Sequence, residues 1–219
     1  MITIYGAEPS APSNKVRFVA NALGLAYEFK NVDLPGGENK TEAYLKLHPA
    51  GKIPVLQDGD FVLFESNAII KYLADKESSS LYPKELRRRA LVDQWIDFAS
   101  LHIGTAVARV VFNRVFYKFA KVEQDERSLK DGLGFLQRFL PVVEAQLAKH
   151  AFLAGPETTL ADFCLLALLD PAEIASIDLS PYPRLQRWRD GLKAKEFYQK
   201  CFPSYTQRMQ EIFQKRGIG

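Results

Sequence analysis

Ser10 and Ser13 stand three residues apart in the stretch Gly6-Ala7-Glu8-Pro9-Ser10-Ala11-Pro12-Ser13-Asn14-Lys15-Val16-Arg17. A β-branched run precedes this stretch and an amphipathic one follows, so the hydroxyls sit where a strand hands over to a helix. The first amides of a helix lack internal partners and its dipole favours negative charge there, which makes the junction suited to holding an anion. Ser13 also suits the plainer role of helix cap. A second such junction is Glu65-Ser66, directly after the apolar run Phe61-Val62-Leu63-Phe64. There the Ser66 hydroxyl and amide can hold a carboxylate and Glu65 an ammonium, although Ser66 too is an ordinary cap type. Ile53-Pro54-Val55 opens a strand with a residue that donates no ladder hydrogen bond. A cis Ile53–Pro54 bond would expose the Ile53 backbone to an extended, peptide-like ligand, and the sequence leaves the isomer open.

The elements that must position these residues follow from periodicity. Ile2 to Tyr5 reads as a strand, and Asn14 to Leu23 as a helix with Val16, Val19, Ala20 and Leu23 on one side, closed by Gly24. Tyr27 to Asp33 alternates as a second strand, and Thr41 to Leu47 is a short helix ended by Pro49 and Gly51. Val55-Leu56-Gln57 and Phe61 to Phe64 flank Asp58-Gly59, a hairpin signal whose central pair favours positive φ. Ser66 is expected to cap a helix running to about Lys76. The order predicts a βαβ unit with parallel first strands, followed by a hairpin.

After Ser78-Ser79-Ser80 and Pro83 the signals are helical. Leu86 to Phe119 carries Leu91, Trp95, Phe98 and His102 on one stripe, and Glu126 to Lys149 is a second long helix with Pro141 predicting a kink. Thr159-Leu160-Ala161-Asp162 has the spacing of a capping box ahead of Phe163 to Leu169, which is apolar all round and must lie centrally. Arg184 to Leu192 and a segment from Pro203 complete the helices. The reading is therefore α/β for the first part and all-α for the rest.

Composition excludes several classes. The 219 residues are 47% hydrophobic and 25% charged, the proportions of a globular chain with a real core. Cys164 and Cys201 are too few and too far apart for a disulfide framework or a thiolate zinc site, and only three histidines are present, so no metal is expected. The uninterrupted apolar stretch Phe163 to Leu169 falls short of the ~18 residues of a membrane span, and Met1 to Tyr5 carries no secretory signal. The expectation is a cytoplasmic protein without membrane contact. The net charge of +3 divides into −2 over residues 1–80 and +5 beyond. Arg87-Arg88-Arg89 is the one dense basic run and lacks interleaved aromatics, so no nucleic-acid partner is expected.

Four of these stretches, in order, carry a resemblance. Ser10-x-x-Ser13-x-Lys15-Val16-Arg17, Ile53-Pro54, Phe64-Glu65-Ser66-Asn67-Ala68-Ile69-Ile70 and Thr159-Leu160-Ala161-Asp162-Phe163 resemble the glutathione transferases over almost the whole chain, and most closely their serine-type classes (phi, theta, delta, zeta). The resemblance implies a thioredoxin-like, glutathione-binding domain over residues 1–77 and an all-helical domain over 85–219. The serines stand at the spacing of a thioredoxin's redox cysteines, which removes dithiol exchange and leaves hydroxyl donors. The implied chemistry is attack of a glutathione thiolate on a small apolar electrophile, or reduction of a peroxide, with glutathione as co-substrate. Ser10 donates to the sulfur, Glu65 and Ser66 hold the γ-glutamyl end, the Ile53 backbone pairs with the cysteine, and Asn39, Lys40 and Lys52 face the glycine carboxylate. Tyr5 is the alternative hydroxyl, as in tyrosine-type enzymes. Pro12, Arg109, Phe112 and Phe116 are expected to line the electrophile pocket.

The resemblance also implies a homodimer. Asn39 departs from the histidine that phi-class proteins commonly have, and Ala50 from the aromatic residue that in several classes plugs into the partner. Two other readings share these motifs. One is the transferase-like, non-catalytic assembly module of elongation factor gamma subunits. The other is a glutathione-dependent isomerase or dehalogenase, disfavoured because Ala11-Pro12 replaces the Ser-Cys pair of zeta-type isomerases.

Overall fold

The computed structural model describes residues 1–120 and 122–215. The chain opens with β1 (Ile2–Gly6), α1 (Ala11–Ala22) and β2 (Tyr27–Asn31). A 3₁₀ turn, Glu38–Lys40, and the one-turn α2 (Glu42–Leu45) lead to the hairpin β3 (Val55–Asp58) and β4 (Phe61–Phe64), then α3 (Ser66–Lys76). The sheet order is β2-β1-β3-β4, with β1 and β2 parallel and β3 antiparallel to both β1 and β4. The period-2 alternation of β1 sends Ile2 and Ile4 into the main core beside α1 and α3, while Tyr5 joins Val32, Tyr44 and Val55 in a smaller cluster on the other face.

The hairpin turn sits one residue later than expected. Asp58 pairs with Phe61, so the loop is Gly59–Asp60, and only Gly59 takes a positive φ, 66°. α1 begins at Ala11 rather than Asn14, because Pro12 fits the first helical turn, where its fixed φ is suitable and its missing N–H is no loss.

The helical part starts with α4 (Leu86–Phe98), which continues through the wider-wound turn Ala99–Gly104 into α5 (Thr105–Val111), a second wide segment Phe112–Phe116, and α6 (Tyr117–Ala120). The stretch Leu86–Phe116 is long and apolar enough by composition to cross a membrane, and 44% of its most apolar window is buried inside the fold. Of the stripe Leu91, Trp95, Phe98 and His102, Trp95 is buried in the core and the rest is half-open. Leu91 and His102 are exposed, Phe98 is half-buried, and the His102 ring stacks on Phe139 of α7 (Glu126–Leu147). α7 runs on through Pro141.

At the centre lies α8 (Leu160–Leu169), nine of whose ten residues are buried. Its capping box forms as expected: the Asp162 carboxylate accepts from the Thr159 amide at 2.9 Å. Asp162 also accepts from Leu153 N and Trp188 Nε1, both at 3.0 Å, so one buried carboxylate joins three segments. Gly104 admits the close approach of α8 to the long helix, since a Cβ there would lie 2.9 Å from Leu168 Cδ2. α9 (Pro183–Lys193), the single-turn α10 (Glu196–Gln199) and α11 (Tyr205–Lys215) close the bundle. α1 is sandwiched between the sheet with α3 on one side and α8 with α10 on the other, which is why Ser13 through Ala20 are all buried. The remainder of the 85–219 span, residues 216–219 with Gly219, lies outside the described residues, as does residue 121.

Candidate functional site

Ser10, not Ser13, caps α1. Its Oγ accepts from Ser13 N at 3.3 Å, its carbonyl accepts from Asn14 N at 2.9 Å, and its side chain is half-buried. Ser13 has turned inward, fully buried, and its Oγ accepts from Ala7 N at 3.3 Å. A hydroxyl that accepts the cap bond keeps its own hydrogen for a ligand, so Ser10 is an available donor and Ser13 is a brace. Asn14 Nδ2 donates to Glu8 O at 2.7 Å and tightens the same loop.

Glu65 sits at the N-cap of α3 with φ 72°, ψ 109°, a conformation costly for a residue with a Cβ. Its carboxylate is exposed and has no partner among the described residues. Ser66 is therefore the first helical residue rather than the cap, and its amide is one of those the helix leaves unpaired. Lys15, which the sequence reading did not single out for a role, reaches this point from α1. Its Nζ donates to Ser66 Oγ at 3.2 Å and to Asn67 Oδ1 at 2.6 Å.

The Ile53–Pro54 bond is cis, and β3 begins directly after it. Lys40 and Lys52 are exposed and have no carboxylate partner among the described residues. Asn39 is tied into the same loop. Its Nδ2 donates to Gly51 O at 2.6 Å, and its buried Oδ1 is unpaired. With one of its two N–H donors on Gly51 O, Asn39 braces the loop before Lys52 and keeps a second donor. Gly51, at φ 60°, allows that approach, because a Cβ would lie 2.6 Å from Asn39 O. Burial pushes the Tyr44 hydroxyl up to about 12, and it donates to Lys52 O at 2.9 Å. Tyr5 points across the sheet: its hydroxyl donates to Gln57 Oε1 at 3.0 Å, toward the Thr3 end of β1 and away from the Ser10 loop.

Residues 1–75 match the family of glutathione S-transferase N-terminal domains, and residues 98–196 that of the C-terminal domains. This chain is a member of the glutathione S-transferase family. Glutathione S-transferase F10 of Arabidopsis thaliana is 32% identical to it over 213 residues, covering 94% of this chain and 98% of the relative. Glutathione transferase F7 of Populus trichocarpa superposes with a TM-score of 0.85 at 27% identity, covering 92% and 97%. A theta-class glutathione S-transferase of Xanthomonas axonopodis pv. citri, solved with glutathione bound, gives 0.84 at 32% identity, covering 91% and 95%.

The four residues expected to line the electrophile pocket each have contacts of their own. Arg109 is turned to α7, its guanidinium 5.9 Å from the centroid of the Phe135 ring. That contact lies within the α5–α7 packing. Phe112 is exposed, and Phe116 packs edge-on against Phe213 of α11 at 6.5 Å between centroids. Pro12 stays in the first turn of α1, next to the Ser10 loop. The contribution that sequence reasoning missed comes from α11. Tyr205 donates to Pro9 O at 2.9 Å and Arg208 Nε to Glu8 Oε2 at 2.7 Å, so the last helix holds the two residues preceding Ser10. No local pattern marks such a contact; only Tyr205 and Arg208, one turn apart on an amphipathic helix, hint at a shared face.

Neither cysteine is arranged as a nucleophile. Cys164 is fully buried, and burial pushes the Cys201 thiol up to about 11. A cleft of about 420 Å³ between the end of α7 and α9 shares none of the residues discussed above for the glutathione transferase site. Among the described residues, no group of three or more His, Cys, Asp or Glu side chains could hold a metal ion.

Proposed function

We propose that the protein is a glutathione transferase whose Ser10 hydroxyl stabilises the glutathione thiolate for attack on a small apolar electrophile. The observation that carries the reading is the Ser10 side chain, half-buried at the start of α1, accepting the cap bond and keeping its hydrogen to donate. A free thiol near pKa ~8.5 is mostly protonated at neutral pH, and lowering it by ~2 units, about 2.7 kcal/mol, makes the thiolate predominate. One hydrogen bond to a charged acceptor together with a helix N-terminus is of that size. Glu65 takes the γ-glutamyl ammonium and Ser66 its carboxylate, the Ile53 backbone pairs with the cysteine, and the unpaired Lys40 and Lys52 attract the glycine carboxylate. Asn39 acts through Gly51. The same thiolate serves peroxide reduction.

The electrophile is expected beside Pro12 and Phe116, with Phe112 at the margin. In this reading residues 1–77 bind glutathione, the helical domain from residue 85 supplies the second pocket, and the setting is cytoplasmic detoxification. A second copy of the chain covers the aromatic face formed by Phe98, His102, Phe135 and Phe139, a homodimer made without an aromatic key at Ala50.

The test is a glutathione titration with ultraviolet detection of thiolate across pH, on the wild type and Ser10→Ala. The expected result is saturable binding with thiolate formed well below pH 8, and in the variant a turnover with a small activated aryl halide lower by ~10²-fold at an affinity changed by no more than a few-fold. Binding with no thiolate, or unchanged turnover in Ser10→Ala, overturns it.

A further inference from the structure

Lys15 is 2% exposed, and both groups it contacts, the Ser66 hydroxyl and the Asn67 amide oxygen, are neutral. No carboxylate pairs with it among the described residues, and two of its three N–H donors account for all its hydrogen bonds there. A buried ammonium is costly unless an anion compensates it. Asn67 is held so that it cannot turn away: its Nδ2 donates to Ser100 Oγ at 2.9 Å, across to the helical part of the molecule. The cation is therefore fixed behind Ser66 from two sides.

We infer that Lys15 is the counter-cation of the γ-glutamyl carboxylate and acts on it through Ser66. The inference rests on the assignment of Ser66 to that end of glutathione. Because Ser66 Oγ accepts from the ammonium, its own hydrogen is directed outward as a donor, and a carboxylate is the ligand group that accepts it. Lys15 thus fixes the polarity of Ser66 and places a full positive charge one hydrogen bond behind the carboxylate. Discrimination for a ligand bearing that carboxylate follows.

The experiment measures the affinity of the full chain for glutathione and for 4-aminobutyryl-cysteinylglycine, which lacks only the γ-glutamyl α-carboxylate. Lys15→Met is expected to weaken glutathione about tenfold and the analogue less than twofold, the scale of one charge interaction at a partly shielded site. Lys15→Arg retains the discrimination. Should Lys15→Met fail to fold, Lys15→Gln, which keeps donors to Ser66 and Asn67 without the charge, carries the same expectation. Equal weakening of both ligands, or of neither, overturns the inference and leaves Lys15 a packing residue. A wild type that binds neither ligand overturns the site assignment itself, an outcome distinct from a variant that binds both alike.

Discussion

Tyr205 donates its phenolic hydrogen to the carbonyl oxygen of Pro9 at 2.9 Å, joining positions 196 residues apart. Pro9 immediately precedes Ser10, and Arg208 grips Glu8 from the next turn of α11. The hydroxyl at the head of α1 is thus set by the far end of the chain as well as by its own helix.

Removing that bond should alter placement more than binding. Tyr205→Phe is expected to lower turnover roughly threefold to tenfold, since small misplacements near a reacting group are costly. It should leave glutathione affinity within about twofold and cost about 1 kcal/mol of stability. Steady-state rates compared with a binding titration separate the two effects; affinity falling in step with turnover would refute the positioning role.

The backbone of Glu65 stores strain at the place where its carboxylate is open. Glu65→Gly relieves the positive φ and should raise stability by about 1 kcal/mol while weakening glutathione about tenfold through loss of the ammonium partner. Thermal unfolding and calorimetric titration of the same preparation report both. A variant that gains stability and binds glutathione as tightly as before would show that the strain has no ligand role.

Asp162 binds three segments through one carboxylate. Asp162→Ala leaves Leu153 N, Thr159 N and Trp188 Nε1 unpaired in the core and is expected to cost about 3 to 5 kcal/mol. Denaturant unfolding followed by Trp188 and Trp95 fluorescence measures it, and a loss under 1 kcal/mol would contradict the bridging role.

Asp170 gives stability a pH slope. Burial raises its carboxyl from 3.8 to about 7, against the pull of Arg189, Lys193 and the Tyr198 hydroxyl. The folded state therefore holds a proton that the unfolded state has released between those values, and stability falls as pH rises from about 4 through 7. The loss is on the order of 2 to 4 kcal/mol. Asp162, raised to about 6 by burial, slopes the same way. Glu173 is held at about 2, burial being outweighed by the Thr206 hydroxyl and the Arg189 and Lys193 charges, so it acts only below about pH 4.5. Chemical denaturation from pH 5 to 8 should show the decline, and Asp170→Asn should flatten it.

Much of this was legible in the residues. The β-branched run Ile2 to Tyr5, the apolar run Phe61 to Phe64, the glycine beside Asp58, and the capping box at Thr159 and Asp162 follow from rules that act over a few residues, so local sequence suffices for them. The positions of Ser10, Glu65 and Ser66 at strand–helix junctions were readable for the same reason. Their states were not. Which serine caps α1 depended on whether Pro12 entered the helix, and the positive φ of Glu65 follows from joining β4 to α3 in this sheet. One N–H of Asn39 goes to Gly51 O, and Arg109 lies over the Phe135 ring, partners supplied by other segments. Lys15 beside Ser66 and Tyr205 beside Pro9 are separated by 51 and 196 positions, and the burial that makes each contact consequential exists only once α1 is enclosed between the sheet and the helices. Hydrogen-bonding capacity belongs to a residue type, while desolvation and the identity of the partner belong to the packed chain.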